Sequence, residues 1–322
     1  MTETWRPTAG LPALRLRARL LWLTREFFRE RGVLEVETPL AVARGVTDVQ
    51  IASLRLDGSP ARFLHTSPEH AMKRLLAAGS GDIYQVSKVF RAGERSALHN
   101  PEFTMVEWYR LGMSLDQIMD ETALLAATLL REGWPAAALP VEQISYQQAF
   151  ARELGLDPLI TGEGELRQRC ADLGLAGAGS ASTTRDDLLD FLVATQIGPR
   201  LGGTGLTLLH HYPASQAALA QLDAADPRTA LRFELYARGV ELANGYVELA
   251  DAAEQSRRFE ADRRQRQQRG LPDITPDEKL LEALATGLPG CAGVAMGFDR
   301  VAMLAAGATR IDEVLAFPWE RA

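Results

Sequence analysis

The chain has 322 residues, 46% of them hydrophobic and 24% charged, with a formal net charge of −7 at pH 7. That is enough for one large domain or two small ones, each with a core, and the acidic balance argues against a broadly basic nucleic-acid surface. No apolar run approaches the roughly 20 residues needed to cross a bilayer. The N-terminus, MTETWRPTAGLPALRLRARLLWL, lacks the ordered regions of a secretory signal, so a cytoplasmic protein is expected. Cys170 and Cys291 stand far apart, with neither a CxxC partner nor suitably spaced histidines, which supports no disulfide framework and no structural zinc site.

From Leu14 to Phe28, leucines and aromatics recur among arginines, and Gly32 supplies a stop before VLEVETP. This predicts an amphipathic helix followed by a strand ending at Pro39. Residues 47–63 read as β-rich and turn-punctuated. At Ser67-Pro68-Glu69 a capping serine, a proline at the first helical position and a glutamate in the first turn mark a helix start, continuing through MKRLLAAG. Residues 83–110, IYQVSKVFRAGERSALHNPEFTMVEWYR, predict a strand ending in an arginine, a polar loop and a returning strand.

Residues 114–131 read as a helix. Residues 145–200 form an Ala-, Leu- and Gly-rich helical stretch without evident chemistry, read as part of an insertion at about 141–205, with ADLGLAGAGSAS (171–182) as its flexible loop. Strand signals return at TLLHHYP and RFELYARGVELANGYVEL. The following AEQSRRFEADRRQRQQRG reads as a helix whose arginines either sit in solvated i,i+4 pairs, the favoured reading, or contact RNA. Strands separated by long, unequal helical segments favour an α+β fold, an antiparallel sheet flanked by helices, over a doubly wound parallel sheet.

Three constellations carry chemistry. Side chains on a strand alternate between faces, so Gln85, Ser87, Val89 and Arg91 share one face and Phe103, Met105, Glu107 and Tyr109 another. Paired through the loop, they gather a guanidinium, a ring, a carboxylate and a phenol on one surface. Arginine clamps phosphate, an aromatic ring stacks on a nucleobase, and a carboxylate beside a phenol suits an ammonium group. The alternative is a surface hairpin in which arginine and glutamate merely pair across strands.

In the second constellation, a two-residue turn at Arg238-Gly239 sets Tyr236 opposite Glu241 and makes Glu234 its diagonal neighbour. The two carboxylates then converge as hard-oxygen ligands for Mg²⁺, unless one faces solvent. Asn244 and Glu248 join Glu241 on one face only if the strand bulges, and Asn244-Gly245 is where the bulge is expected. The third is GCAGVAMGFDRVAML, where Gly293, Ala295 and Gly297 alternate along a strand before Asp299-Arg300 opens a helix. Small residues there leave a floor for a ligand, with Arg300 at the helix start for a terminal phosphate, or they serve only close helix packing. Neither a GxxxxGK[ST] loop nor a GxGxxG turn is present.

In order, FFRERGVLEVETP, FRAGERSALHNPEFTMVEWYR and GVAMGFDRVAML resemble motifs 1, 2 and 3 of class II aminoacyl-tRNA synthetases, the lysyl branch in particular. SPEHAMKRLL and ELANGYVEL are similar to lysyl-enzyme segments around the amino acid and ATP. Motif 1 begins within the first 40 residues, so no anticodon-binding domain is expected, and the whole chain reads as a single catalytic domain. This truncated form resembles the family that ligates (R)-β-lysine to a lysine of translation elongation factor P instead of charging tRNA.

The resemblance implies ATP and Mg²⁺ as cosubstrate and metal, elongation factor P as protein acceptor, no role for tRNA, and a homodimer through motif 1. It implies that Arg91 contacts the α-phosphate, that Ala92, Gly93, Asn100, Leu242 and Gly297 lie along ATP, that Phe103 stacks on adenine and that Arg300 holds the γ-phosphate. It further implies Glu234 and Glu241 as Mg²⁺ ligands, Glu241 also bordering ATP. Ser67, Pro68 and Glu69 would meet the backbone-side amine, Tyr109 and Glu248 the distal ammonium, and Glu107 and Asn244 would complete the wall. Two departures stand out. The family motif RNEE reads RAGE here, leaving Gly93 where a glutamate is usual and Glu94 as its possible substitute, and Ala295 replaces a glycine, narrowing the pocket in a way that suits an amine on the β carbon. A truncated lysyl-tRNA synthetase and a catalytically silent ATP- or amino-acid-sensing paralogue are the alternative readings.

Overall fold

The computed structural model describes residues 5–134, 139–174 and 183–322, so residues 175–182 of the expected flexible loop lie outside the described residues. In chain order the elements begin with α1 (Leu11–Glu30), β1 (Leu34–Glu35), β2 (Ala41–Val42), β3 (Arg55–Leu56), β4 (Arg62–Leu64), α2 (Glu69–Ala77), β5 (Ile83–Phe90), β6 (Glu102–Leu111) and α3 (Leu115–Leu130). Next come β7 (Val141–Ser145), α4 (Tyr146–Leu154), α5 (Glu163–Asp172), α6 (Arg185–Leu192), β8 (Leu206–Pro213), β9 (Thr229–Ala237) and β10 (Val240–Val247). The last are α7 (Ala252–Gln268), α8 (Glu278–Gly287), β11 (Cys291–Gly297) and α9 (Phe298–Ala305). They fall into two compact units, Met1–Ala137 with Leu249–Ala322, and Ala138–Glu248.

The first unit carries the strand order β1-β5-β6-β11, in which only the β1–β5 pairing is parallel, and a small sheet β2-β4-β3. The strand predicted as far as Pro39 pairs over only two residues before turning away. The β5–β6 register sets Gln85 opposite Glu107 and Val89 opposite Phe103, the pairing expected from alternation. The intervening residues face the core. There the Phe28 ring of α1 stacks on Tyr84 at 4.3 Å between centroids and tilts against Trp108 at 5.5 Å. Trp108 is fully buried, and its indole N–H donates to Glu121 of α3 at 3.1 Å. Close helix packing also demands Gly133, where an added Cβ would stand 1.6 Å from the Ala305 carbonyl oxygen.

Helix starts follow their caps. Ser114 and Gln117 form a reciprocal capping box at α3. At α2 the helical residues begin one position after Pro68, and the Ser67 hydroxyl accepts the Glu69 N–H at 3.0 Å. On α7, Arg258 meets Glu254 at 2.8 Å in an i,i+4 pair that is partly buried, and Arg263 meets Glu260 at 2.9 Å in a more exposed i,i+3 pair, so the expected solvated i,i+4 pairing is met only in part. Arg266 is buried instead, donating to the carbonyls of Asp48 and Pro272.

The second unit has the order β10-β9-β8-β7, with only β7–β8 parallel. Tyr146 and Phe150 of α4, Leu166 of α5 and Leu188, Leu189 and Leu192 of α6 share one core with Leu209, Tyr212 and Tyr236. Arg238 and Gly239, at φ 47° and 73°, form the two-residue turn joining β9 to β10, since both central residues of such a turn need positive φ. The bulge in β10 falls between Glu241 and Ala243, not at Asn244-Gly245. Each unit therefore combines a mostly antiparallel set of strands with packed helices, the α+β class expected.

Replacing Trp108 by alanine removes both its ring contacts and one of the partners of Glu121, which also meets Arg110 and Arg31, and should cost about 3–5 kcal/mol of stability. Urea unfolding measures it, and a loss below about 1 kcal/mol would show that Trp108 does not anchor α1 and α3 to the strands.

Candidate active site

In the first unit, β6 and β11 pair so that Glu107 stands opposite Ala295, Tyr109 opposite Gly293 and Met105 opposite Gly297. The small-residue strand thus flanks the chemical face of β6. Glu107 is buried and accepts two hydrogen bonds, from the Ser67 hydroxyl at 2.6 Å and from the Tyr109 phenol at 2.7 Å. Burial, and next the charge of Glu69, push its carboxyl up to about 7. Glu69 in turn accepts from Lys73 at 2.6 Å, one helical turn further along α2, and Lys73 is only 1% exposed. Ser67, Pro68, Glu69, Glu107 and Tyr109 are therefore brought together, Pro68 as the residue that leads into α2. Lys73 joins them without having been singled out in the sequence. Its i,i+4 spacing from Glu69 was the available signal, obscured because a lysine among apolar residues ordinarily reaches solvent.

The residues of this unit expected to meet phosphate form a second group. The guanidinium of Arg91 lies 5.3 Å from the centre of the Phe103 ring, and its backbone N–H is held by Pro101 O at 2.9 Å. Ala92 N–H donates to Ala52 O at 2.8 Å, Gly93 turns the chain at φ 80°, and Glu94 comes within 3.6 Å of Arg91. Asn100 is buried with its amide committed to the backbone, accepting from Trp319 N–H at 3.0 Å and donating to Glu102 O at 2.5 Å. Gly297 precedes α9, and the Arg300 side chain of that helix meets His99 Nε2 at 2.6 Å. Burial, then the charge of Arg300, lower the His99 pKa. A neutral ring accepts from Arg300 through Nε2 and donates through Nδ1 to the Ser96 hydroxyl at 2.8 Å. His99 too was passed over in the sequence, as the neighbour of a residue already chosen.

The second unit holds Glu234, Glu241, Leu242, Asn244 and Glu248. The bulge at Leu242 sets Glu241 opposite Tyr236 and Asn244 opposite Glu234. Period two then continues to Glu248, which is 1% exposed and bridges to Ala220. One extra residue thus brings Glu241 and Asn244 onto the same face, as expected of a bulge, but Leu242 supplies it. Glu234 is bonded at both oxygens, to Arg232 at 2.7 Å and to the Tyr236 phenol at 2.6 Å. Burial, and then the nearby charge of Glu241, raise its pKa. Among the described residues no group of three or more His, Cys, Asp or Glu gathers as a metal cage. Two repelling carboxylates instead fit Mg²⁺, which usually takes one or two protein carboxylates and completes its shell from phosphate and water.

A family profile described as tRNA synthetases class II (D, K and N) matches residues 6–321. Proteins named elongation factor P--(R)-beta-lysine ligase from Salmonella paratyphi A, Salmonella dublin and Salmonella enteritidis PT4 are each 45% identical to the chain, covering 100% of it and 99% of their own length.

The raised pKa of Glu107 sets a pH dependence. Below about pH 4.5, its ordinary value, folded and unfolded chains both hold the proton. As pH rises towards 7 the unfolded state loses it first, so stability falls through that window and levels off above it. Thermal melts from pH 4.5 to 8 should show this decline in the wild type relative to Glu107→Gln; parallel profiles would remove Glu107 as its source.

Proposed function

The chain belongs to the class II tRNA synthetases of the D, K and N group, and on that premise we propose that it activates (R)-β-lysine with ATP and transfers it to a lysine side chain of elongation factor P. The supporting observation is the 45% identity, end to end, with ligases of that name. The cluster around Glu107 adds chemical support, since carboxylates with a serine and a phenol suit a substrate bearing two amines.

In this reading the β-lysine carboxylate attacks the α-phosphate of ATP, and pyrophosphate leaves. Arg91 and Arg300 neutralise the charge that develops on the phosphate oxygens, while Phe103 carries the adenine. Ala92, Gly93, Leu242 and Gly297 border the nucleotide, and Asn100 acts through the backbone it holds. Ser67, Pro68, Glu69, Glu107, Tyr109, Asn244, Glu248 and Ala295 receive the amino acid. Glu234 and Glu241 would hold Mg²⁺, which when bound offsets charge on the phosphates. A deprotonated lysine amine of the acceptor then attacks the acyl carbon, forming an amide and releasing AMP. No side-chain nucleophile is needed. We place this reaction in a cytoplasmic homodimer; no helix among the described residues is long and apolar enough to cross a membrane.

Labelled β-lysine and ATP, offered with either elongation factor P or tRNA, should label the protein acceptor alone. Arg91→Ala should lower amino-acid-dependent pyrophosphate exchange by at least about 100-fold. Label on tRNA would overturn the acceptor assignment, and undiminished exchange in the mutant would remove Arg91 from its role.

A further inference from the structure

Arg232 of the second unit is engaged on every side, and the chemistry above gives it no role. It lies on β9 two residues before Glu234, with its side chain largely buried. Four directions of its guanidinium are occupied. Nη2 donates to Glu234 Oε1 at 2.7 Å, Nε donates to Asn244 Oδ1 at 3.2 Å, Nη1 donates to the Gln216 carbonyl at 2.8 Å, and the plane lies 4.3 Å from the Tyr212 ring centre. Burial alone would lower its pKa most strongly, but the negative groups around it, Glu234 first and then Tyr212, Asp190 and Glu241, together outweigh that and raise it, so the group stays a cation. Asp190 of α6 contributes a further attraction and accepts from Gln216 Nε2 at 2.8 Å.

A planar fork with fixed donor directions imposes geometry on everything it binds. Here it binds a proposed metal ligand and a proposed substrate-wall residue at once. The bulge at Leu242 makes this possible by placing Asn244 directly across from Glu234, within reach of one side chain on β9. We infer that Arg232 is a positioning residue that sets Glu234 for the metal and Asn244 for the amino acid together, coupling the two subsites through one guanidinium. This rests on the adenylating function proposed above. Because Arg232 takes Asn244 Oδ1, the amide nitrogen is the end that Asn244 offers to a ligand, which suits a carboxylate oxygen better than an ammonium.

A lysine at this position keeps the charge but cannot serve Glu234, Asn244 and the Gln216 carbonyl from one plane. The test compares wild type with Arg232→Lys by thermal shift, titrating Mg²⁺ with ATP and, separately, β-lysine, and then by pyrophosphate exchange. We expect the half-saturating concentrations of both ligands to rise together by about 10-fold, the usual effect of losing a supporting partner of a metal ligand. An effect on only one ligand, or on neither, in a folded mutant would overturn the coupling. If Arg232→Lys does not fold, Tyr212→Leu leaves the charge in place and removes the ring beneath it together with the hydroxyl beside Glu234. Both concentrations should then rise together by about threefold, and unchanged values would count against the inference. Wild-type protein that responds to neither ligand would instead sink the adenylating function itself, and the coupling with it.

Discussion

A β-strand can give each of its faces only every second residue, and β6 divides its residues accordingly. Trp108 turns to the helices and anchors α1 and α3 to the strands, while Glu107 and Tyr109 on either side of it turn the other way to form a polar cluster. Core and chemistry are thus built by adjacent residues of a single strand, so the aromatic packing of one face sets the position of the carboxylate on the other. The pairing partners extend this division, since β5 contributes Gln85 and β11 contributes Ala295 to the face of Glu107.

Placing carboxylates in such surroundings requires compensation, because an isolated buried charge is costly and an unpaired buried polar group is too. The protein meets the requirement with local cations and hydroxyls. Glu69 has Lys73, Glu107 has Ser67 and Tyr109, and Glu234 has Arg232 and Tyr236. These partners do more than neutralise. Each bonds a specified oxygen, so each sets the direction in which the remaining lone pairs point. Burying the pairs carries risk, since loss of one member leaves the other charged in a low-dielectric site.

The pairing of the β5–β6 hairpin, and the face that carries Phe103, Glu107 and Tyr109, were legible because period two is a strong signal over eight or more residues. The two-residue turn at Arg238-Gly239 was legible for a similar reason, since positive φ at successive positions is rarely met without glycine. The bulge was only half legible. Parity showed that β10 needed an extra residue if Glu241 and Asn244 were to share a face, but Asn-Gly was the wrong cue for its position. Leu242 has no bulge-forming preference of its own, and the pairing of β10 with β9 placed the irregularity there.

The amino-acid order by itself determined the α+β class, the faces of the long strands and the identity of the chemical groups, because these follow from local periodicity and from functional groups that no fold can alter. Which cation serves which carboxylate was decided only by the tertiary structure. Lys73, His99 and Arg232 looked like ordinary surface or loop residues in the sequence, since nothing local distinguishes a lysine that reaches water from one enclosed beside Glu69. Asn100 shows the converse, a polar side chain that reads as a ligand contact and is found also to hold the backbone at Trp319 and Glu102. Burial and long-range pairing depend on chain segments up to 315 residues apart, and no window of sequence contains both ends of such a contact.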